Sequence, residues 1–286
     1  MITFNHVSKK FKYHFWDKEY LALDDISFHI KEGDLVGFLG ANGAGKTTLI
    51  KILMDFSRQD SGVVNFSKSL GHDLLTIKAA IGYLPERAYL YPHLTGREFL
   101  QFMGEISEIN KTEVAKSIDY WADKMQLSYA IDRRIKSYSK GMQQRLGFVS
   151  ALMHSPKFLV LDEPLSGLDP VGRRDFKKIL KQLNNDGVTI FFSSHIVSDV
   201  EEICNKVVFI EKGKLIYEGS IDHLLVEHSN DLYLFKYILD GKLIINHVRE
   251  NDKNQELERL ISLKANILEV EKEKPNLEEI IYKIKK

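Results

Sequence analysis

The segment GANGAGKT, at Gly40–Thr47, gives the strongest indication of the fold in this sequence. It follows a continuous apolar run, GDLVGFLG at Gly33–Gly40, which is typical of a buried strand. The spacing of its glycines, lysine and threonine matches the phosphate-binding loop that joins a strand to a helix. We therefore expect a strand, a glycine-rich loop and a helix that begins at Lys46.

Each fixed position of this loop has a chemical reason. Glycines allow backbone N–H groups to surround phosphate oxygens without a Cβ in the way. Lys46 brings a positive charge to the β- and γ-phosphates, Thr47 offers a hydroxyl to Mg²⁺, and the helix N-terminus favours anions. The sequence thus predicts a site for a nucleoside triphosphate. Its predicted contacts are Gly40, Ala41, Asn42, Gly43, Ala44, Gly45, Lys46, Thr47 and Thr48.

A second apolar strand ends in two acidic residues. In KFLVLDEP, Asp162 stands at the strand end, where its carboxylate can hold Mg²⁺ directly or through water. Glu163 follows it and is the natural general base for the attacking water.

Phosphate loops also occur in GTPases, small-molecule kinases and helicases, so other motifs must decide the class. A GTPase is disfavoured because the chain has no NKxD motif for base recognition.

Just upstream, the segment YSKGMQQRL at Tyr138–Leu146 resembles LSGGQQQR, the signature motif of ATP-binding-cassette (ABC) proteins. The resemblance extends over residues 2–220 in the family's motif order, and it implies that the nucleotide is ATP. It also implies that Ser139 and Gly141 close over the ATP of a second subunit. A serine hydroxyl, a glycine amide and a helix N-terminus suit that role as an anion clamp.

Further motifs carry the same resemblance. SGLDP looks like the family's D-loop, which implies that Asp169 reaches across a dimer. SSH looks like the switch histidine, which implies that His195 contacts the γ-phosphate and acts with Glu163 in catalysis.

The family's adenine-stacking aromatic has several candidates here. Phe11 stands roughly at its position, and Tyr13, Phe15 and Tyr20 are alternatives because a loop at His14–Glu19 follows the first strand.

Two positions depart from the family pattern. Glu86 follows IGYLP where many members carry glutamine, and it can still coordinate Mg²⁺ together with Thr47 and Asp162. As an anion near phosphates it requires a cationic partner such as Arg87. Lys140 replaces the first glycine of the signature, and either assists triphosphate binding or points to solvent.

The pattern along the chain predicts an α/β fold, a P-loop NTPase cassette followed by a small appendage. Residues 1–220 combine a parallel core sheet, an antiparallel β flank and an inserted helical subdomain at about residues 95–155. A helix is predicted over Arg173–Leu183. Residues 221–286 form the C-terminal appendage, with a strand at Leu232–Leu239 and a helix whose apolar face is Leu277, Ile280, Ile281 and Ile284.

Composition narrows the cellular setting. The 40 basic and 40 acidic residues cancel, so the overall charge does not indicate a nucleic-acid partner. A single cysteine, Cys204, cannot form an internal disulfide, which is typical of a reducing compartment. The N-terminus has no signal-peptide core, and no apolar run approaches the roughly 20 residues that span a bilayer. We therefore expect a cytoplasmic protein that reaches a membrane only through a partner.

The C-terminal segment KPNLEEIIYKI looks like the ending PSLEEIFL of ATPase subunits of bacterial exporters, and YLPE is similar to that branch. The resemblance implies an ATP-hydrolysing subunit that binds a second nucleotide-binding subunit, as a homodimer or heterodimer. It also implies a separate transmembrane permease that holds the chain at the inner face of the membrane. The alternative is a soluble ABC ATPase acting on ribosomes or DNA. Each motif occurs once, and coiled coils and cysteine-rich zinc modules are absent, which disfavours that alternative.

The segment Glu86–Leu94 is the predicted contact with the permease. Its aromatic residues, Tyr89 and Tyr91, either anchor a coupling helix or pack the junction of the helical subdomain.

Overall fold

A computed structural model describes residues 1–12, 16, 19–228, 232–273 and 276–284. Its contacts divide the chain into two units, Met1–Gly219 and Ser220–Lys286. Among the residues described, no helix is both long enough and apolar enough to cross a membrane.

In the described part of the first unit, the strands form a six-stranded sheet and a three-stranded sheet. Numbered along the chain, they are β1 (Ile2–Phe11), β2 (Tyr20–Ile30), β3 (Leu35–Leu39), β4 (Ser61–Phe66), β5 (Ile81–Leu84), β6 (Phe158–Leu161), β7 (Thr189–Ser194), β8 (Lys206–Glu211) and β9 (Lys214–Ser220). The larger sheet has the order β5-β6-β7-β3-β8-β9. Its pairs from β5 to β8 are parallel. The carboxyl ends of these strands therefore share one edge, where α/β proteins bind ligands.

Strands β3 and β6 lie inside this sheet and are buried along their whole length. Central strands of a parallel sheet are covered on both faces, which is why their sequences are continuous apolar runs. Strand β3 leads into the glycine-rich loop and β6 leads into Asp162 and Glu163. Strand β7 lies between β3 and β6 and runs parallel to both. The glycine-rich loop and the Asp162–Glu163 segment therefore meet at the same edge of the sheet.

The smaller sheet has the order β2-β1-β4 and is antiparallel. Ile2 and Phe4, alternate residues of β1, are fully buried. The Phe28 ring lies 4.4 Å from the Phe4 ring and 6.1 Å from the Phe191 ring, centroid to centroid. Aromatic pairs at such separations add about 0.5–1.5 kcal/mol beyond their buried area. This core packs the antiparallel flank against the parallel sheet.

The helices of the first unit surround the strands, and three of them form the predicted insertion. They are α1 (Lys46–Leu53), α2 (Leu74–Ala79), α3 (Gly96–Ile106), α4 (Lys111–Lys124), α5 (Lys140–Leu152), α6 (Pro170–Asn185) and α7 (Val197–Ile203). Helices α3, α4 and α5 lie between β5 and β6 in the chain. Helix α3 starts with a capping box, in which the Glu98 N–H donates to Thr95 Oγ1 at 3.1 Å and the Thr95 N–H donates to Glu98 Oε2 at 2.8 Å.

Two elements differ from the sequence prediction. Helix α6 begins at Pro170, three residues before the predicted start, because Asp169 accepts a hydrogen bond from the Gly172 N–H at 3.0 Å and proline is favoured in the first turn. The sequence also predicts a strand over Val188–Phe192, whereas β7 covers Thr189–Ser194. Most of the loop predicted at His14–Glu19 lies outside the described residues.

The second unit contains α8 (Ile221–Glu227), β10 (Leu232–Leu239), β11 (Lys242–Arg249), α9 (Lys253–Ser262), β12 (Asn266–Lys272) and α10 (Leu277–Ile284). Its sheet has the antiparallel order β11-β10-β12. Phe235, Tyr237, Val248 and Leu260 form its core. The predicted strand at Leu232–Leu239 is β10.

Gly37, in the middle of β3, faces α7 without room for a side chain. A Cβ at Gly37 would lie 2.2 Å from Cγ1 of Val200. We expect Gly37→Ala to lower the free energy of unfolding by about 1–3 kcal/mol through overpacking. Urea denaturation followed by tryptophan fluorescence measures this change, because Trp16 and Trp121 both belong to the first unit. Val200→Ala makes space, so the same penalty in the Val200→Ala background would contradict the contact.

Candidate active site

The glycine-rich loop lies between β3 and α1, at the carboxyl edge of the parallel sheet. Gly43 and Gly45 have φ angles of 81° and 108°, in the left-handed region that favours glycine. A Cβ on Gly40 would lie 2.8 Å from the carbonyl oxygen of Ile210 in β8. The backbone of the loop therefore has a shape that side chains at these positions would prevent.

Lys46, the first residue of α1, is 6% exposed. Its Nζ donates to the carbonyl oxygen of Gly40 at 2.6 Å and lies 3.3 Å from Oε1 of Glu163. An ammonium group so deeply buried requires polar or anionic partners. A phosphate would supply such a partner at the same place.

Asp162 follows β6 and is 1% exposed. Ser193 Oγ, at the end of β7, donates to Asp162 Oδ1 at 2.6 Å and accepts from the Glu163 N–H at 2.9 Å. Burial raises the pKa of Asp162, and hydrogen bonds from Ser193 and Thr47 oppose the rise. The negative charges of Glu86 and Glu163 raise that pKa further. A bound cation would stabilise the charged carboxylate and so oppose this rise in the pKa of Asp162.

Glu163 stands in a strained backbone conformation, with a φ of 48°. Its Oε2 lies 2.9 Å from Nδ1 of His195, whose side chain is 47% exposed. Its Oε1 is buried and has no aligned hydrogen-bond donor in the described part of the chain, although Lys46 Nζ is 3.3 Å away. A buried oxygen without a proper donor is a natural position for a water or a ligand atom.

The side chains around this loop line a cavity of about 430 Å³, which is within the usual range for small-molecule sites. The lining residues are Tyr20, Ala22, Ala41, Asn42, Gly43, Gly45, Lys46, Thr47, Thr48, Glu86, Glu163, Ser166 and His195. Two predicted loop contacts do not line it. Gly40 accepts a hydrogen bond from Lys46 instead, and Ala44 is buried in the core.

The predicted Mg²⁺ ligands Thr47, Glu86 and Asp162 all line a neighbouring groove of about 1250 Å³. A hydroxyl and two carboxylates are the oxygen donors that Mg²⁺ prefers, so the residues fit the ion. Within the described residues, no group of three His, Cys, Asp or Glu could hold a metal unaided. Phosphate oxygens and water would complete the coordination. Among the described residues, the expected ion pair between Glu86 and Arg87 is not formed, and both residues are exposed.

Of the described candidates for adenine stacking, Tyr20 lines the cavity and Phe11 does not. Phe11 is the register partner of Tyr20 across β1 and β2, and the two rings stack at 5.8 Å. Phe11 thus supports Tyr20 from behind. The other two candidates, Tyr13 and Phe15, lie outside the described residues.

Ser139, Gly141 and Asp169 are absent from the described lining of the nucleotide cavity. Ser139 caps α5, where it accepts from the Met142 N–H at 3.3 Å, and Asp169 caps α6. A Cβ on Gly141 would lie 3.4 Å from the carbonyl oxygen of Gly167. The signature segment therefore packs against the segment that leads to Asp169, apart from the cavity of its own chain.

The structure also shows contacts that motif analysis did not single out. Ser166 lines the cavity, and Ser193 joins Asp162 to the backbone of Glu163. Only the pairing of β6 with β7 places Ser193 there, and no local pattern indicates it. The methylenes of Lys140 lie against Gly167, while the residue as a whole is exposed.

Comparisons with known proteins agree with this architecture. The family model "ABC transporter" matches residues 23–166. An ABC transporter ATP-binding protein of Synechocystis is 36% identical, over 96% of this chain and 81% of that protein. The ABC transporter ATP-binding protein YhaQ of Bacillus subtilis is 32% identical, over 98% of this chain and 97% of that protein. A dimeric ATP-binding cassette solved with ADP and phosphate has the same fold, with a TM-score of 0.70 and 24% identity over 77% of this chain and 99% of that chain.

The chain therefore belongs to the ABC transporter family. Within that family it is an ATP-binding subunit, and it is an ATPase.

Replacing the predicted base separates binding from hydrolysis. Glu163→Gln keeps the size of the side chain but removes its basicity, so we expect ATP binding to persist while turnover falls at least about 100-fold. Lys46→Ala should instead abolish binding, because the buried cation is lost. Phosphate release and binding of a fluorescent ATP analogue measure the two effects. Near-normal turnover of the Glu163→Gln protein would refute the assignment of the base.

Proposed function

We propose that this subunit powers a membrane exporter, and that ATP joins two nucleotide-binding subunits head to tail around two nucleotide sites. One observation carries the head-to-tail arrangement: among the described residues, Ser139, Gly141 and Asp169 do not line the cavity that holds Lys46 and Glu163. The hydroxyl of Ser139 and the N-terminus of α5 suit a phosphate. A second copy can supply them to the open side of the cavity.

In this complex the phosphates take over the contact that Lys46 now makes with Glu163. Released from the ammonium group, the Glu163 carboxylate can accept a proton from the attacking water at Oε1, which lacks an aligned donor among the described residues. His195 holds the other carboxylate oxygen and so orients the base. Thr47 and Asp162, with Glu86 beside them, would hold Mg²⁺, which would supply positive charge to the phosphates.

An aromatic pair at the wall of the cavity supports a place for the nucleotide base. Tyr20 is 44% exposed and lines the cavity, and Phe11 stacks on it. We assign adenine stacking to Tyr20, with Phe11 as its support.

ATP should convert the Glu163→Gln protein from monomer to dimer, because the intact nucleotide then remains between two copies. Light scattering with and without ATP and Mg²⁺ measures the change in mass. Adding Ser139→Ala should weaken the dimer, because the hydroxyl that would meet the γ-phosphate is lost. Adding Lys140→Ala serves as the matched control, since the neighbouring side chain packs on Gly167 of its own chain. No change in mass at high protein concentration would contradict the head-to-tail arrangement.

We place the permease contact at the groove beside the nucleotide cavity. Thr47, Glu86 and Asp162 lie along it, and so does Tyr89. An element docked there would therefore touch the same groups that surround Mg²⁺. The segment Glu86–Leu94 joins β5 to α3. A shift of Glu86 on nucleotide binding can therefore move the inserted helices as a unit, which links nucleotide state to the permease.

The two tyrosines of the segment Glu86–Leu94 have different surroundings. Tyr89 is 86% exposed, while Tyr91 packs edge-on against Phe102 of α3 at 5.8 Å. Tyrosine combines apolar area with a polar tip and is favoured at interfaces. These surroundings support Tyr89 as the anchor and Tyr91 as part of the subdomain junction.

Tyr89→Ala should leave the fold and the basal ATPase intact and abolish co-purification with the permease from native membranes. Tyr91→Ala is the matched control, and we expect it to lower thermal stability through loss of the contact with Phe102. A Tyr89→Ala protein that still binds its permease normally would refute the docking site.

Export as the direction of transport rests on the resemblance of YLPE and of the C-terminal segment to exporter subunits. Within that segment, Leu277, Ile280 and Ile281 of α10 are buried, and Lys274 and Pro275 lie outside the described residues. We assign Met1–Gly219 as the cassette and the second unit as the appendage. The subunit would then sit at the inner face of the membrane through its permease.

A further inference from the structure

A buried carboxylate joins the two helices that begin beside the site. Asp199, on α7, is 4% exposed. Arg173 Nη2 donates to its Oδ2, and Lys177 Nζ lies 3.2 Å from its Oδ1. Arg173 and Lys177 are one turn apart on α6 and so share a face. The two helices are therefore connected by charge-assisted contacts with little freedom.

Each helix starts next to a predicted site residue. The N-terminal cap of α6 is Asp169, whose carbonyl oxygen accepts from the Arg173 N–H at 2.9 Å. Helix α7 starts at Val197, directly after the turn that carries His195. In that turn, Ser194 Oγ accepts from the Ile196 N–H at 3.0 Å, which ties the end of β7 to the start of α7.

A cavity of about 220 Å³ lies between the two turns. Ser166 and Leu168 line it from the segment before α6, His195 lines it from the segment before α7, and Arg173 and Asp199 both border it. The two loops are thus separated by open space at the site and joined by the ion pair.

We infer that Asp199, acting through Arg173, is a positioning residue that couples His195 to Asp169. The inference rests on the proposed dimer, in which His195 senses the γ-phosphate of its own site and Asp169 reaches the second copy. A displacement of His195 on loss of the γ-phosphate moves the start of α7, and the ion pair transfers that movement to α6. Each site thereby reports its nucleotide state to the other.

A role limited to stability fits these residues less well. Replacing a buried ion pair with apolar side chains is often neutral or stabilising, so such pairs are poor devices for stability alone. A directional hydrogen bond to Oδ2 and an ion pair at Oδ1 do fix the relative position of α6 and α7, which apolar contacts would allow to slide. Lys177 also pairs with Glu202, whose side chain is 52% exposed. That outer pair adds a contact without touching either loop.

The test uses the full chain with Asp199→Asn and Arg173→Gln combined, so that neither partner of the pair remains as an unpaired buried charge. We expect kcat for ATP to fall at least about tenfold, because misplacement of site residues has effects of this size, while ATP affinity stays unchanged. In the Glu163→Gln background, ATP-dependent dimerisation should require a higher protein concentration. Phosphate release, a fluorescent ATP analogue and light scattering measure these three quantities.

Two further variants keep the result specific. Glu202→Gln removes only the outer pair and should behave as the unmodified chain. Asp199→Glu retains the carboxylate and should restore part of kcat when Arg173 is intact. Unchanged kcat in the double variant would overturn the inference, as would a loss of kcat that matches the loss of folded protein in thermal denaturation. If the Glu163→Gln protein alone does not dimerise with ATP, the proposed dimer fails and the inference fails with it.

Discussion

The charge pair between Lys46 and Glu163, 3.3 Å apart at the carboxyl edge of the parallel sheet, is the interaction on which the rest of the site depends. Lys46 is buried at the start of α1, and a buried ammonium group is stable only beside an anion or strong acceptors. The anion comes from a different strand, so β3 and β6 must both end at this edge of the sheet, with β7 between them. The pairings of Leu39 with Ser194 and of Leu161 with Phe192 place the end of β6 two residues before the end of β3, so Glu163 is level with Leu39. In the proposed complex a phosphate takes over this contact with Lys46, so nucleotide binding would exchange one anion for another.

The same geometry fits the proposal that one copy of the chain holds an incomplete site. The nucleotide cavity has a phosphate loop, a base and a histidine on one side, whereas Ser139 and Asp169 serve as helix caps elsewhere in the same chain. A helix cap directed to solvent retains unfilled capacity to bind an anion, because backbone N–H groups at a helix N-terminus exceed the intrahelical acceptors. The proposed dimer uses this capacity. The buried contacts of Asp199 join α6, which Asp169 caps, to α7, which begins after His195.

The departures from the family pattern now have physical surroundings. Glu86 lies at the boundary between the nucleotide cavity and the larger groove, and its charge contributes to the raised pKa of Asp162. No ion pair with Arg87 offsets that charge in the structure, so a divalent cation is the group best able to do so. Lys140 lies along Gly167 and lines the groove rather than the nucleotide cavity of its own chain. Both residues are therefore placed to respond when the groove is filled.

The amino-acid pattern was enough to predict the parallel core, the phosphate loop and the chemical groups of the candidate site. Apolar runs that end in GANGAGKT or in Asp162 and Glu163 specify both the buried strands and the groups at their carboxyl ends, because these signals are local. The start of α6 at Pro170 could also have been predicted from the sequence, because Asp169 is a strong capping residue. Tertiary contacts alone bring Tyr20 rather than Phe11 to the cavity wall. They also place Ser193 where it donates to Asp162. Finally, they leave Tyr89 exposed while Tyr91 is packed. Each of these features depends on strand register or on a contact between distant segments. A local sequence pattern does not show which side chains a neighbouring element will cover.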